Sequence, residues 1–134
     1  MNEFELKVPT GLETVGEMVE ELAAKGGVDQ WGGRKGFNFR LVVNEAIANA
    51  KKHGNRLDPE TCVHIQLAVS DAKVAVTVRD QGPGFDVSTV PDPTDPDRLE
   101  MAQGRGVFLM RKLSDEVAYN EVGNEVTLTF LAPA

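Results

Sequence analysis

Cys62-Val63-His64-Ile65-Gln66-Leu67-Ala68-Val69-Ser70-Asp71-Ala72-Lys73-Val74-Ala75-Val76-Thr77-Val78-Arg79 holds two β-type runs joined by Ser70-Asp71-Ala72. Val63, Ile65, Leu67 and Val69 alternate with more polar residues in the first run, and Val74, Val76 and Val78 do so in the second. A period of two marks strands with one buried face, and so short a join makes a hairpin the simplest reading. An antiparallel pair of this kind must cover its apolar side with another layer of structure. His64 lies in the phase opposite to the apolar residues and reads as a surface histidine rather than a ligand. Cys62 is the only cysteine, which excludes an internal disulfide and a multi-thiolate metal site. At the start of an apolar alternation it is expected to pack as a small hydrophobe.

Upstream of the hairpin, Phe4, Leu6 and Val8 alternate with Glu5 and Lys7, the pattern of a half-buried strand that Pro9 ends. Thr10 and Glu13 have the spacing of a capping box ahead of Leu12, Val15, Met18, Val19 and Leu22, so a first helix is expected to about Lys25, stopped by Gly26-Gly27. Trp31, in a short loop between Val28 and Lys35 with Gly32-Gly33, is expected to cover the edge of the core. A second helix is expected from about Lys35 to His53, with a turn at Asn55, Asp58 and Pro59.

Downstream, the Pro- and Asp-rich segment 87–103, with Pro91, Pro93 and Pro96, lacks an apolar period and reads as a lid containing a short helical piece at Leu99 and Met101. Gly104-Arg105-Gly106 opens a third helix that closes near Ser114-Asp115. Glu116–Glu121 and Glu125–Leu131 form a second hairpin. The expected order is β-α-α-β-β-lid-α-β-β within one domain, residues 1–134. This is an α+β fold, a two-layer α/β sandwich whose mostly antiparallel mixed sheet carries its helices on one face.

Composition narrows the function. The 134 residues are 41% hydrophobic and 26% charged, with no apolar run long enough to span a bilayer and no signal peptide, so a cytoplasmic protein is expected. A net charge of −7 gives no general attraction to a phosphate backbone or an anionic membrane. Nucleic acid and membrane are not expected partners. A local basic cluster still suffices for one nucleotide, because screening makes nearby groups decide the field.

Three separated segments carry chemistry. In Arg40-Leu41-Val42-Val43-Asn44-Glu45-Ala46-Ile47-Ala48-Asn49-Ala50-Lys51-Lys52-His53-Gly54, Glu45 and Asn49 stand one helical turn apart and share a face. A carboxylate and a carboxamide followed by Lys52 and His53 suit hydrated Mg²⁺ and a polyphosphate, because Mg²⁺ binds through one or two oxygen ligands plus substrate phosphates. Asp80-x-Gly82-x-Gly84 ends a strand with an acceptor for an exocyclic amine, beside glycines that let a flat base approach the backbone. Gly104-Arg105-Gly106 leads into a helix N-terminus, whose unpaired N–H groups favour anions. Each signal alone is ordinary, Glu45 and Asn49 included, since polar residues one turn apart occur on many helix surfaces. The ordered set is not.

Glu45-x-x-x-Asn49-Ala50-x-x-His53-Gly54, Asp80-x-Gly82-x-Gly84 and Gly104-Arg105-Gly106-Val107 resemble the N, G1 and G2 boxes of the GHKL ATPase and kinase superfamily, which has the Bergerat fold. Within it the chain resembles the anti-sigma factor serine/threonine kinases of bacteria, and Leu113-Ser114-Asp115-Glu116-Val117 is similar to the segment after their G2 helix. The resemblance implies an ATP site in which Asn49 holds Mg²⁺, Asp80 reads the adenine amine and Gly104-Arg105-Gly106-Val107 wraps the phosphates. Gly82, Gly84, Lys52 and His53 belong to the same implied site, and Glu45 is the implied general base. The resemblance further implies phosphorylation of an anti-anti-sigma (STAS-type) antagonist, sequestration of a sigma factor by partner switching, and a homodimer. The alternative is a module that binds ATP and sequesters a protein without transferring phosphate. Glu45 favours the kinase. A first strand that begins almost at Met1 leads us to expect a domain that stands alone rather than a two-component histidine kinase core, and a gyrase- or chaperone-type ATPase is weaker for want of a transducer domain. The last hairpin reads Gly123-Asn124-Glu125 where many relatives have Gly-Thr-x, so no threonine contact to adenine is carried over there.

Overall fold

In the computed structural model of the chain, residues 2–11, 15–82 and 109–133 are described. Strand β1 spans Asn2–Pro9, helix α1 Gly16–Gly26 and helix α2 Lys35–Asn49, with a 3₁₀ turn at Val28–Trp31 between the helices and a π-helical turn at Ala50–Gly54 after them. Strands β2 (Cys62–Val69), β3 (Lys73–Arg79), β4 (Glu116–Tyr119) and β5 (Glu125–Leu131) complete a sheet of order β1-β2-β3-β5-β4. Every pairing among the described residues is antiparallel.

The period-two pattern sets which side is covered. Ile65, Val78 and Val126 lie in one row of the sheet, Leu67, Val76 and Leu128 in the next, and all are buried. Over them pack Val19, Leu22 and Ala23 of α1 and Phe39, Val42, Val43, Ala46 and Ile47 of α2. Phe39 and Phe130 meet edge to face with ring centroids 5.1 Å apart. The other face of the sheet, with Glu5, Lys7, Gln66 and Arg79 exposed, carries no helix among the described residues. His64 sits there, as expected of a residue out of phase with the core. Cys62 shares its phase and is half-buried, with Sγ 3.6 Å from His64 Nε2, so it does not join the core as expected. Trp31 packs half-buried against the core edge.

The start of the first helix differs from expectation. Thr10 is no helix cap: it is buried, its hydroxyl lies 2.9 Å from Thr61 Oγ1 and accepts from Asn55 Nδ2 at 2.9 Å, and α1 begins at Gly16 without a side-chain cap. Glu13, the other half of the expected box, lies outside the described residues. At the far end, Gly27 adopts φ 67 and donates its N–H to Ala23 O, the left-handed helix stop that Gly26-Gly27 suggests. The lid segment, the short helical piece at Leu99 and Met101, and the start of the third helix also lie outside the described residues. The last turn of that helix is present at residues 109–113, and Ser114 closes it with its N–H and hydroxyl both donated to Met110 O.

Arg40 fixes α2 against the segment before it. Its Nε donates to Glu20 Oε2 at 2.5 Å, and Nη1 and Nη2 reach Asp29 Oδ1 and Oδ2 at 2.7 and 2.8 Å. The Arg40 hydrogen bonds hold the Asp29 carboxyl below the usual carboxylate range. No described helix is long and apolar enough to cross a membrane.

The Phe39 ring is fully buried between α2 and the sheet. Phe39→Ala is expected to lower unfolding stability by about 3–5 kcal/mol, read from the urea midpoint at unchanged m-value. A loss under about 1 kcal/mol would contradict this packing.

Candidate functional site

Glu45 and Asn49 are both half-buried on α2, while Val42, Val43, Ala46 and Ile47 between and before them are buried. The two polar side chains therefore lie at the margin of the helix rather than on its solvated back. Asn49 Nδ2 is buried with no hydrogen-bond partner, the one side-chain nitrogen or oxygen in that condition among the described residues. A half-turn of the carboxamide exchanges its nitrogen and oxygen, so this position presents either a donor or an oxygen ligand to whatever arrives.

Beyond Asn49 the helix changes pitch instead of continuing to His53. Ala50–Gly54 form a π-helical turn in which Asn55 N–H reaches back to Ala50 O at 2.8 Å. Such turns accommodate an extra residue and often occur at functional sites. Arg56 and Leu57 follow with φ of 51 and 60. For residues with a Cβ, this left-handed conformation costs roughly 1–2 kcal/mol each. Leu57 N–H to Lys51 O at 2.9 Å and Asp58 N–H to Asn55 O at 3.0 Å hold the chain there.

The π-helical turn delivers Gly54 to the end of β3. A Cβ on Gly54 would lie 2.1 Å from Asp80 Cγ, and a Cβ on Gly82 would lie 2.0 Å from Gly54 O. The aspartate and two glycines thus form one close-packed unit from two segments predicted separately, which only residues without a Cβ permit. Asp80 continues the helix-facing phase of Val74, Val76 and Val78, and its N–H donates to Asn124 O at 2.9 Å. Burial pushes its carboxyl above the usual value, partly opposed by Gly82 N–H donating to Oδ1 at 2.8 Å.

Lys52 is exposed on the π-helical turn, and the side chain of His53 is not among the described ones. Gly84, Gly104, Arg105, Gly106 and Val107 lie outside the described residues. Thr127 Oγ1 pairs with Thr77 Oγ1 at 3.0 Å, and Thr129 follows in the same phase, facing away from the helices and from the side of Asp80. A cavity of about 650 Å³ on the helix-free face, lined by Lys7, His64, Thr77 and Arg79, touches this site through Asp80, Gln81 and Asn124.

Three residues of the site escaped sequence reasoning. Asn124 supplies the carbonyl for Asp80 N–H, and its side-chain amide approaches Gly82 O at 3.4 Å. Its place where relatives carry threonine was the available signal. Asn55 Oδ1 accepts from Gln81 N–H at 2.7 Å, and Gln81 Oε1 accepts from Cys62 N–H at 2.8 Å. By sequence Asn55 reads as a turn-forming asparagine and Gln81 as the spacer of Asp80-x-Gly82.

A helix bearing Glu45 and Asn49, a π-helical turn ending in glycine, and a strand-end aspartate against that glycine belong to a domain with one helical layer on an antiparallel sheet. Residues 8–130 match the histidine kinase-like ATPase domain family, and the chain belongs to it. ATP is the ligand that membership implies. The chain is 34% identical to the anti-sigma F factor of Geobacillus stearothermophilus over 98 residues, 72% of this chain and 67% of that protein. It is 36% identical to the anti-sigma F factor of Geobacillus thermodenitrificans over 96 residues, 69% of this chain and 65% of that protein. The match thus spans about two thirds of those relatives.

Gly54→Ala is expected to destabilise the fold by about 1–3 kcal/mol, since the new methyl overpacks against the Asp80 carboxylate. Chemical denaturation of the variant checks this. Asp80 makes a second test. A carboxyl whose folded value is raised contributes most below its ordinary value of 3.8, and that contribution is lost as pH rises through the folded value. Asp80→Asn should therefore be more stable than wild type at neutral pH, with the gain disappearing below 3.8. Parallel urea titrations at the two pH values read it, and an equal gap at both contradicts it.

Proposed function

We propose that the chain is an anti-sigma factor-like serine/threonine protein kinase. It binds ATP with Mg²⁺, phosphorylates a small anti-anti-sigma (STAS-type) antagonist and regulates a sigma factor by partner switching, as a homodimer. The observation that carries this reading is the Gly54, Asp80 and Gly82 contact, five residues beyond Asn49 on one continuous helical run. The anti-sigma F factor name borne by its relatives supports the same branch.

The residues divide the work. Asp80 accepts a hydrogen bond from the exocyclic amine of adenine, and the close approach of Gly54 and Gly82 holds its carboxylate in place. Asn49 fits a metal ligand, because its buried carboxamide has a polar position with no protein partner. Mg²⁺, when bound, neutralises phosphate charge. Lys52, His53 and Arg105 add cations around the phosphates, Gly104-Arg105-Gly106-Val107 wraps them, and Gly84 lets the base approach the backbone beside Asp80. Glu45, one turn before Asn49, takes the proton of the substrate hydroxyl as its oxygen bonds to the γ-phosphorus, the bond to the β,γ-bridging oxygen breaks and ADP leaves.

Asn49→Ala is expected to abolish Mg²⁺-dependent ATP binding, read by calorimetry. Glu45→Ala should keep binding and lower phosphoryl transfer about 10²–10⁴-fold, read with labelled ATP and a serine-bearing antagonist domain. Unchanged transfer in Glu45→Ala contradicts its role. Tight ATP binding with no label on any antagonist favours a module that only sequesters its partner.

A further inference from the structure

We propose that Asn55 is a positioning residue for adenine recognition, acting on Asp80 through the backbone of Gln81. The inference rests on the reading of Asp80 as the adenine contact.

Asn55 is 5% exposed and uses both ends of its carboxamide. Nδ2 donates to Thr10 Oγ1 at 2.9 Å and to Cys62 O at 3.0 Å, while Oδ1 accepts from Gln81 N–H at 2.7 Å. Cys62 N–H in turn donates to Gln81 Oε1 at 2.8 Å. Asn55 to Cys62, Cys62 to Gln81 and Gln81 to Asn55 therefore form a closed ring of three hydrogen bonds. It joins the exit of the π-helical turn, the first residue of β2 and the turn after β3.

The ring has a specific mechanical effect. Asp80 and Gly82 flank Gln81, and the orientation of the Asp80 carboxylate depends on Gly82 N–H, 2.8 Å from Oδ1. The Gln81 N–H lies in the Asp80–Gln81 peptide plane, so holding it fixes the direction in which the chain leaves Asp80. Only the two soft torsions of Gln81 then separate that plane from Gly82 N–H. Asn55 itself cannot drift, since Thr10 and Cys62 anchor its amide. Exposed turns ordinarily satisfy their N–H groups with water. Here a buried side chain from 26 residues away does so. Sequence neighbours cannot supply this constraint, and no atom of Asn55 need touch the base.

The test compares ATP with purine riboside triphosphate, which lacks the 6-amino group, by calorimetric titration of the whole chain with Mg²⁺. Wild type is expected to prefer ATP, and Asp80→Ala to lose that preference. Asn55→Ala is expected to lower the preference about tenfold, as for a hydrogen bond whose acceptor is misaimed. Thr10→Val removes one anchor but keeps the bond to Gln81, so it should reduce the melting temperature and leave the preference intact. If Asn55→Ala weakens both nucleotides equally, Asn55 is only structural and the inference fails, while the Asp80 reading survives. If wild type shows no preference, or Asp80→Ala keeps it, the Asp80 reading fails and takes the inference with it. Should Asn55→Ala not fold, hydrogen exchange in wild type decides. The Gln81 amide must be protected, and slowed further by ATP than by the analogue at matched saturation. Exchange at the rate of an open turn, or equal slowing, overturns the proposal.

Discussion

The absence of two Cβ atoms governs the site. Gly54 and the turn after β3 approach so closely that a methyl on either glycine would occupy space held by the Asp80 carboxylate or by Gly54 O. That approach brings the end of the helical run and the end of a central strand into one unit. A buried carboxylate in such a position has lost water, and burial accordingly raises its proton affinity. The molecule tolerates a charged group held away from solvent where an apolar or amide side chain would sit more comfortably. Sites that bind tend to retain groups of this kind at the expense of stability.

The π-helical turn is the means by which the close approach is reached. An α-helix continued through His53 would carry Gly54 to a different angular position about the axis, since widening by one residue per turn rotates everything that follows. The strained φ values at Arg56 and Leu57 then reverse the chain toward β2. Their cost is met by a buried anchor, Asn55, whose carboxamide ties the turn to β1 and β2. Strain next to a binding site, stabilised by a polar network a few ångströms away, is a recurrent arrangement.

Most of the sheet was legible because a period of two is written largely in β-branched residues: Val63 to Val69 and Val74 to Val78 fall on the expected face, and the strand expected at Glu125–Leu131 is present. Glu45, Asn49, Asp80 and Gly82 were legible as residue types at fixed spacings. What the pattern missed was non-local. Thr10 resembles a helix cap until Asn55, 45 residues later, takes its hydroxyl as an acceptor. Cys62 begins an apolar run yet belongs to the polar phase, because the alternation is counted from Val63. The π-helical turn leaves no periodic signal in five residues, and helix propensity does not distinguish it from one more turn of α-helix.

The ring around Asn55 also binds the pocket to the fortunes of the whole domain. Its members come from the exit of the π-helical turn, the first residue of β2 and the turn after β3, so none can open without loosening the others. Occupancy of the neighbouring cleft would then be felt as added resistance to global unfolding, growing with the logarithm of ligand concentration above the dissociation constant. Fluctuations that expose the cleft would, by the same token, be large, infrequent openings rather than the fraying of a single surface loop.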